Sequence, residues 1–267
     1  MTRSRLQKTF EGLREVGRTA LMPYLTMGYP ERESALALVP AVTEAGADLV
    51  ELGVPFSDPL ADGATIQAAS QQALSNGMSL DLCLEQSAQL RRQGVEIPFV
   101  LMGYYNPIFQ YGIDTFASRA AASGIDGLIV PDLPPEESGA LQEPLASTGV
   151  DLVFLLAPTS SDARIRQVAE TSTGFVYLVS LVGVTGARSR LDEGLAAFVR
   201  RVRGMTDKPL AVGFGISQPE QAAQVAKIAD GVIVGSALIK AIGSGDDPVT
   251  AAGTFIRSLR KGMDGES

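Results

Sequence analysis

Two carboxylates stand out by their setting. Glu51 interrupts the apolar run Leu49-Val50-Glu51-Leu52-Gly53, which otherwise reads as a buried strand. A buried carboxylate without a partner is costly, so such a group is paired, protonated or kept for reactivity. Asp62 follows in a loop rich in Pro, Asp and Gly that runs from Val54 to Gly63. An acid at a strand end and a second acid in the following loop suit general acid/base chemistry. The alternatives are structural: Glu51 tied to a lysine or arginine inside the fold, and Asp62 bonding loop amides.

A second constellation lies in the last third. Val212-Gly213-Phe214-Gly215-Ile216-Ser217 leaves one apolar run and opens a helical pattern, and Val234-Gly235-Ser236-Ala237-Leu238 does the same after the next run. Glycines at such points let backbone N–H groups approach an anion, and a helix N-terminus adds a favourable dipole. Together they predict a phosphate site, with Gly186 completing the cradle. The Gly-x-Gly lies late in the chain and lacks the third glycine of a dinucleotide fingerprint. Tyr177 ends another apolar run, and its hydroxyl is placed to meet a carboxylate or a ligand. Tyr104, Tyr105 and Asn106 read as rim residues.

The elements that must hold these residues repeat a local phrase. Ala45-Gly46-Ala47-Asp48-Leu49-Val50 returns as Ser123-Gly124-Ile125-Asp126-Gly127-Leu128, as Thr148-Gly149-Val150-Asp151-Leu152-Val153, and more loosely at Ile228–Val234. Each closes an alanine-rich helical pattern, turns, and enters a strand-forming run. Runs without polar alternation indicate strands buried on both faces, as in a parallel sheet. Strands fall near residues 20, 49, 99, 128, 152, 176, 210 and 232. Helical patterns occupy Glu31–Ala45, Leu80–Arg92, Ile108–Ala122, Pro135–Ala146, Ser161–Thr171, Leu191–Val202, Pro219–Ala226 and Pro248–Arg260. This predicts one (β/α)₈ barrel spanning residues 1–267, with an extra N-terminal helix over 1–17 and a frayed tail over 261–267. A doubly wound open sheet is the alternative. The long connections Gly53–Ala64 and Val179–Arg190 leave strand ends on the face where barrels keep their sites, as candidate lids.

Composition narrows the function classes. The 267 residues carry a net charge of −8, which argues against a nucleic-acid surface. The chain has no histidine and one cysteine, Cys83, in an apolar helical pattern, so His bases and His or multi-Cys metal sites are excluded and no intrachain disulfide is possible. No apolar run approaches the length of a membrane span, and no apolar signal core follows Met1, which predicts a soluble cytoplasmic protein.

The run from Glu51 to Gln67 resembles the strand-two signature of the tryptophan synthase alpha subunit family. The resemblance extends from Leu6 to Arg260 through Leu101–Pro107, Pro131–Pro134, Gly183–Gly186, Gly213–Ser217 and Gly235-Ser236. It implies retro-aldol cleavage of indole-3-glycerol phosphate to indole and glyceraldehyde 3-phosphate, with Glu51 and Asp62 as the catalytic carboxylates. It puts Tyr177 beside Glu51, Tyr24, Leu101 and Ile129 on the indole pocket, and Gly186, Gly215, Gly235 and Ser236 at the phosphate with Phe214 nearby. Thr185 would close over the site and reach Asp132. Tyr24 stands where the family often has phenylalanine. The resemblance also implies no cofactor or metal on this subunit, and a pyridoxal-phosphate beta subunit as partner in an alpha2beta2 heterotetramer, docked on the loops of Asp58, Asn106-Pro107 and Asp132–Pro134. A stand-alone lyase, another phosphate-binding barrel enzyme, and a chain kept mainly as an activating partner are the competing readings.

Overall fold

A computed structural model of the chain describes residues 4–179, 188–213, 215–245 and 247–265. In chain order the elements are α1 (Arg5–Glu15), β1 (Ala20–Thr26), α2 (Ala35–Glu44), β2 (Val50–Gly53), α3 (Ala64–Ser75), α4 (Leu80–Arg92), β3 (Phe99–Met102), α5 (Tyr105–Tyr111), α6 (Ile113–Ala122), β4 (Gly127–Ile129), α7 (Gly139–Thr148), β5 (Asp151–Val153), β6 (Leu155-Leu156), α8 (Asp162–Thr171), β7 (Val176–Val179), α9 (Arg188–Arg203), β8 (Leu210–Gly213), α10 (Pro219–Ala226), β9 (Gly231–Val234), α11 (Ser236–Ser244) and α12 (Pro248–Asp264).

The strands are hydrogen-bonded in the order β5-β4-β3-β2-β1-β9-β8-β7-β6, and the pairings are parallel. The ends of that order, β5 and β6, are separated in the chain by Phe154 alone. They are two pieces of one barrel strand, one pairing with β4 and the other with β7, so the sheet closes on itself. This is the expected (β/α)₈ barrel with its extra N-terminal helix.

Side chains alternate between two layers along each strand. In β3, Phe99 and Leu101 belong to the layer between sheet and helices, while Val100 and Met102 belong to the barrel interior. Ala20, Met22, Leu49, Ile129, Val153, Phe175, Ala211 and Ile233 fill the same interior. Both layers are apolar, which is why the strands show no polar alternation. Leu6 and Phe10 of α1 pack against the interior cluster and close its N-terminal mouth. Gly127 and Gly174 leave the room, since a Cβ at either position would crowd Leu6 Cδ1.

The repeated phrase has a physical role at this end of the barrel. Asp48 Oδ2 accepts the Leu21 N–H at 2.8 Å, Asp126 Oδ2 the Phe99 N–H at 2.9 Å, and Asp230 Oδ2 the Leu210 N–H at 2.8 Å. Each aspartate therefore pins the start of its own strand to the start of the neighbouring one. Each is also paired with arginine: Asp48 with Arg260, Asp126 with Arg91 and Arg5, Asp230 with Arg203 and Arg14. Asp151 departs from the pattern, bonding the side chains of Ser4 and Thr173.

Several boundaries differ from expectation. Helix α3 was not expected from the sequence. The pattern over 108–122 is two helices divided at Gly112, whose φ of +89° is inaccessible to most side chains without strain. The pattern from Pro135 begins as a short 3₁₀ turn, Pro135–Glu137, before α7. The expected frayed tail is helical to Asp264 and ends in a left-handed Gly265 with φ of +73°. Cys83 is buried, as its pattern implied.

Candidate active site

The site is built at the C-terminal ends of β1, β2, β3 and β7. Glu51 lies on β2 in register with Tyr24 of β1 and Val100 of β3. It is 1% exposed, and its Oε2 has no hydrogen-bond partner among the described residues. Among the described residues, no lysine or arginine is tied to this carboxylate as the structural alternative requires. Burial first, and the charge of Asp62 second, push the Glu51 pKa up to about 8.

Asp62 lies in the loop between β2 and α3, half-buried. Burial pushes its pKa up to about 6, against a hydrogen bond from the Tyr104 hydroxyl that lowers it. Tyr104 is not a rim residue. It is buried, its hydroxyl accepts the Ala61 N–H at 3.0 Å, and its ring stacks on Phe56 with centroids 5.0 Å apart. Sequence reading had no signal for this, because the contact joins two loops 43 residues apart.

Two further phenols face the acids. Tyr177 on β7 belongs to the interior cluster, and its hydroxyl lies over Gly213, where a Cβ would overlap it. Burial and then the charge of Glu51 hold the proton on Tyr177. Tyr24 is buried with its hydroxyl over Gly53, and burial and then Asp62 hold its proton likewise. Ile129 faces the interior, in register with Met102.

Leu101 requires a correction. It is in register with Leu52 and Leu128 and packs with them in the sheet–helix layer, turned away from Glu51. Met102, the next residue, carries the inward face and packs against the cluster of Tyr24, Ala69 and Ile239. Because the strand period is two, a shift of one residue moves a side chain to the opposite face.

On the far side of the mouth, Gly235 is the single residue between β9 and α11, and Ser236 opens that helix. Gly215 follows β8 with φ of +75°. Both Gly215 and Ser236 are exposed. Thr185, Gly186 and Phe214 lie outside the described residues. Asp132 is exposed, and its carboxylate accepts the Tyr105 N–H at 2.9 and 3.2 Å, capping α5. A groove of about 360 Å³ runs between Asp132–Pro135 and Leu155–Ala157, with Val179 at its edge.

Fold and paired acids define the class: a (β/α)₈-barrel enzyme, with its reactive groups on the face where such barrels carry out chemistry. A model of the tryptophan synthase alpha chain family matches residues 10–262. A tryptophan synthase alpha chain from Roseiflexus sp. is 55% identical over 259 residues, covering 96% of this chain and 99% of that one. One from Geobacter sulfurreducens is 46% identical over 266 residues, covering 97% and 99%. The crystal structure of tryptophan synthase subunit alpha from Legionella pneumophila superposes with a TM-score of 0.93 at 40% identity, covering 99% of this chain and 100% of that one. The chain belongs to the tryptophan synthase alpha chain family.

Proposed function

We propose that this chain cleaves indole-3-glycerol phosphate to indole and glyceraldehyde 3-phosphate, as the alpha subunit of tryptophan synthase in tryptophan biosynthesis. The observation that carries the reading is Glu51, a buried carboxyl with an unpartnered oxygen, beside the less perturbed Asp62.

Cleavage requires a proton on indole C3 and removal of the proton from the adjacent glycerol hydroxyl. Glu51, protonated below about pH 8, delivers the first. As a carboxylate it then takes the second while the C–C bond breaks and the aldehyde forms, which returns Glu51 to its starting state. Asp62, ionised above about pH 6, accepts the indole N–H and stabilises the positive charge that develops on the ring. The two acids thus hold opposite protonation states over a common pH window. Tyr177 flanks Glu51, and Tyr24, Met102 and Ile129 wall the ring. Gly215, Gly235 and Ser236 take the phosphate at the α11 N-terminus, with Gly186 and Phe214, while Thr185 closes over the site toward Asp132.

The partner reading is a beta subunit, in an alpha2beta2 assembly, that carries pyridoxal phosphate and consumes the indole. Leu60 is 94% exposed after β2 and Phe109 is 58% exposed after β3. Large apolar side chains exposed beside an active-site mouth support a docking face there. Asp58 shares the loop of Leu60, Asn106-Pro107 share α5 with Phe109, and Asp132–Pro134 follow β4, where Asp132 caps α5.

The test is indole release from indole-3-glycerol phosphate by the purified chain, alone and with a beta subunit, beside Glu51→Gln. Indole that disappears with the variant and rises with the partner supports the reading. No indole in either condition overturns it, and release that ignores the partner leaves a stand-alone lyase.

A further inference from the structure

The signature run that opens on Glu51 closes on Gln67, a residue with no part in the chemistry above. Gln67 lies one turn into α3, directly after the loop that carries Asp62. Its backbone N–H stays in the helical pattern, donating to the Gly63 carbonyl at 3.0 Å. Its side chain is exposed, yet it folds back onto the loop. The side-chain amide donates to the Asp62 carbonyl oxygen at 2.9 Å and reaches the Pro59 carbonyl oxygen at 3.5 Å. Both partners are acceptors only, so it is the NH₂ end of the amide that faces them.

The loop needs such support. Leu60 is 94% exposed, and Ala61 and Gly63 are exposed too, so the core does not hold the backbone around Asp62. The Asp62 N–H donates to the Pro59 carbonyl at 3.1 Å and the Leu60 N–H to the Asp58 carbonyl at 2.9 Å. These bonds shape a turn but do not tie it to the barrel. Two side chains from outside the loop do so, on opposite sides of the same residue. The Tyr104 hydroxyl, from the end of β3, accepts the Ala61 N–H just before Asp62. The Gln67 amide, from α3, takes the Asp62 carbonyl just after it. The acid therefore stands between two anchors on rigid elements, although its own loop is exposed.

We propose that Gln67 is a positioning residue for Asp62, its amide clamping the turn from Pro59 to Asp62 against α3 so that the carboxylate is presented to the indole N–H. A group that must meet one atom of a substrate gains rate from being held in place before the substrate arrives. The role in turnover rests on the reaction proposed above, whereas the clamp on the loop does not.

The experiment compares Gln67→Met and Gln67→Glu with wild type and with Gln72→Met, each in the full chain. Gln67→Met keeps the length and removes the donor. Gln67→Glu keeps the shape and turns a carboxylate toward two carbonyl oxygens. Gln72 lies further along α3 and donates to the Pro30 carbonyl at 2.8 Å. Gln72→Met therefore removes the same kind of bond from the same helix without touching the Asp62 loop. Without substrate, both Gln67 variants are expected to move the backbone ¹³C-carbonyl NMR resonance of Asp62 and to raise hydrogen exchange at the Ala61 amide by about tenfold, the worth of one hydrogen bond. In turnover, kcat falls by about 10- to 100-fold, as for a misplaced site group. KM stays in place, because the proposed phosphate seat lies across the mouth at α11. Gln72→Met matches wild type in all of these. An unmoved Asp62 resonance with unchanged Ala61 exchange in the Gln67 variants overturns the proposal. An equal fall of kcat in Gln72→Met overturns it too, since the effect would then belong to the helix as a whole. The loop measurements need no substrate, so failure of the wild-type chain to release indole counts against the reaction alone.

Discussion

The Tyr177 hydroxyl occupies the space that a side chain at position 213 would need, so the phenol beside Glu51 depends on a glycine one strand away. Gly213→Ala is expected to displace that hydroxyl while leaving β8 paired. Displacement of a site group by about 1 Å commonly costs on the order of a hundredfold in rate. The check is kcat beside a far-ultraviolet spectrum, with kcat falling and the spectrum unchanged.

Glu51→Gln should lower kcat by about 10² to 10⁴, the usual contribution of a positioned proton-transfer group. It should also change stability with pH. Between the ordinary carboxyl value near 4.5 and about 8, the folded chain holds a proton that the unfolded chain has released. Stability therefore falls as pH rises through that window, by up to about 1.4 kcal/mol per unit. The variant loses this slope, so urea unfolding at pH 5 and pH 9 should show it gaining on wild type at the higher pH.

The rate profile should be a bell with limbs near 6 and 8, belonging to Asp62 and Glu51 as a coupled pair. The Tyr104 hydroxyl lowers the Asp62 value, so Tyr104→Phe removes a force favouring ionisation. The acid limb of kcat should move up by about one pH unit. An unmoved limb would separate Tyr104 from Asp62.

Among the described residues, no atom crowds the place of a side chain at 235. A Cβ there would touch Tyr24 and Ile66 at ordinary distances, 3.6 Å and beyond. If phosphate seats against that backbone, Gly235→Ala leaves the melting temperature in place and raises KM for the phosphorylated substrate by about tenfold or more, the loss of one charge-assisted bond. An unchanged KM would move the phosphate elsewhere.

Asp126→Ala should separate stability from activity. It removes a 2.6 Å pair with Arg91 and the bond to the Phe99 N–H, both at the end of the barrel remote from Glu51. Removing one side of a partly buried, hydrogen-bonded charge pair costs about 1–3 kcal/mol. Chemical denaturation should show that loss, while kcat below the unfolding transition stays within error.

The order of strands and helices was legible in the sequence because each apolar run is bounded by turn chemistry at its own ends. The same holds for Glu51: a carboxylate in a buried strand is anomalous whatever surrounds it. The glycines proposed for phosphate and the repeated turn-and-aspartate phrase are local patterns too, although the role of Asp48, Asp126 and Asp230 appears only when neighbouring strands are paired. Tertiary structure decided what local pattern leaves degenerate. With both faces of β3 apolar, its sequence carries no mark of which parity points inward, so Leu101 and Met102 are equivalent until the barrel closes and puts Met102 inside. Tyr104 on Asp62, Tyr24 over Gly53 and Tyr177 over Gly213 each join residues far apart in the chain, through space that exists only once adjacent strands have taken their register.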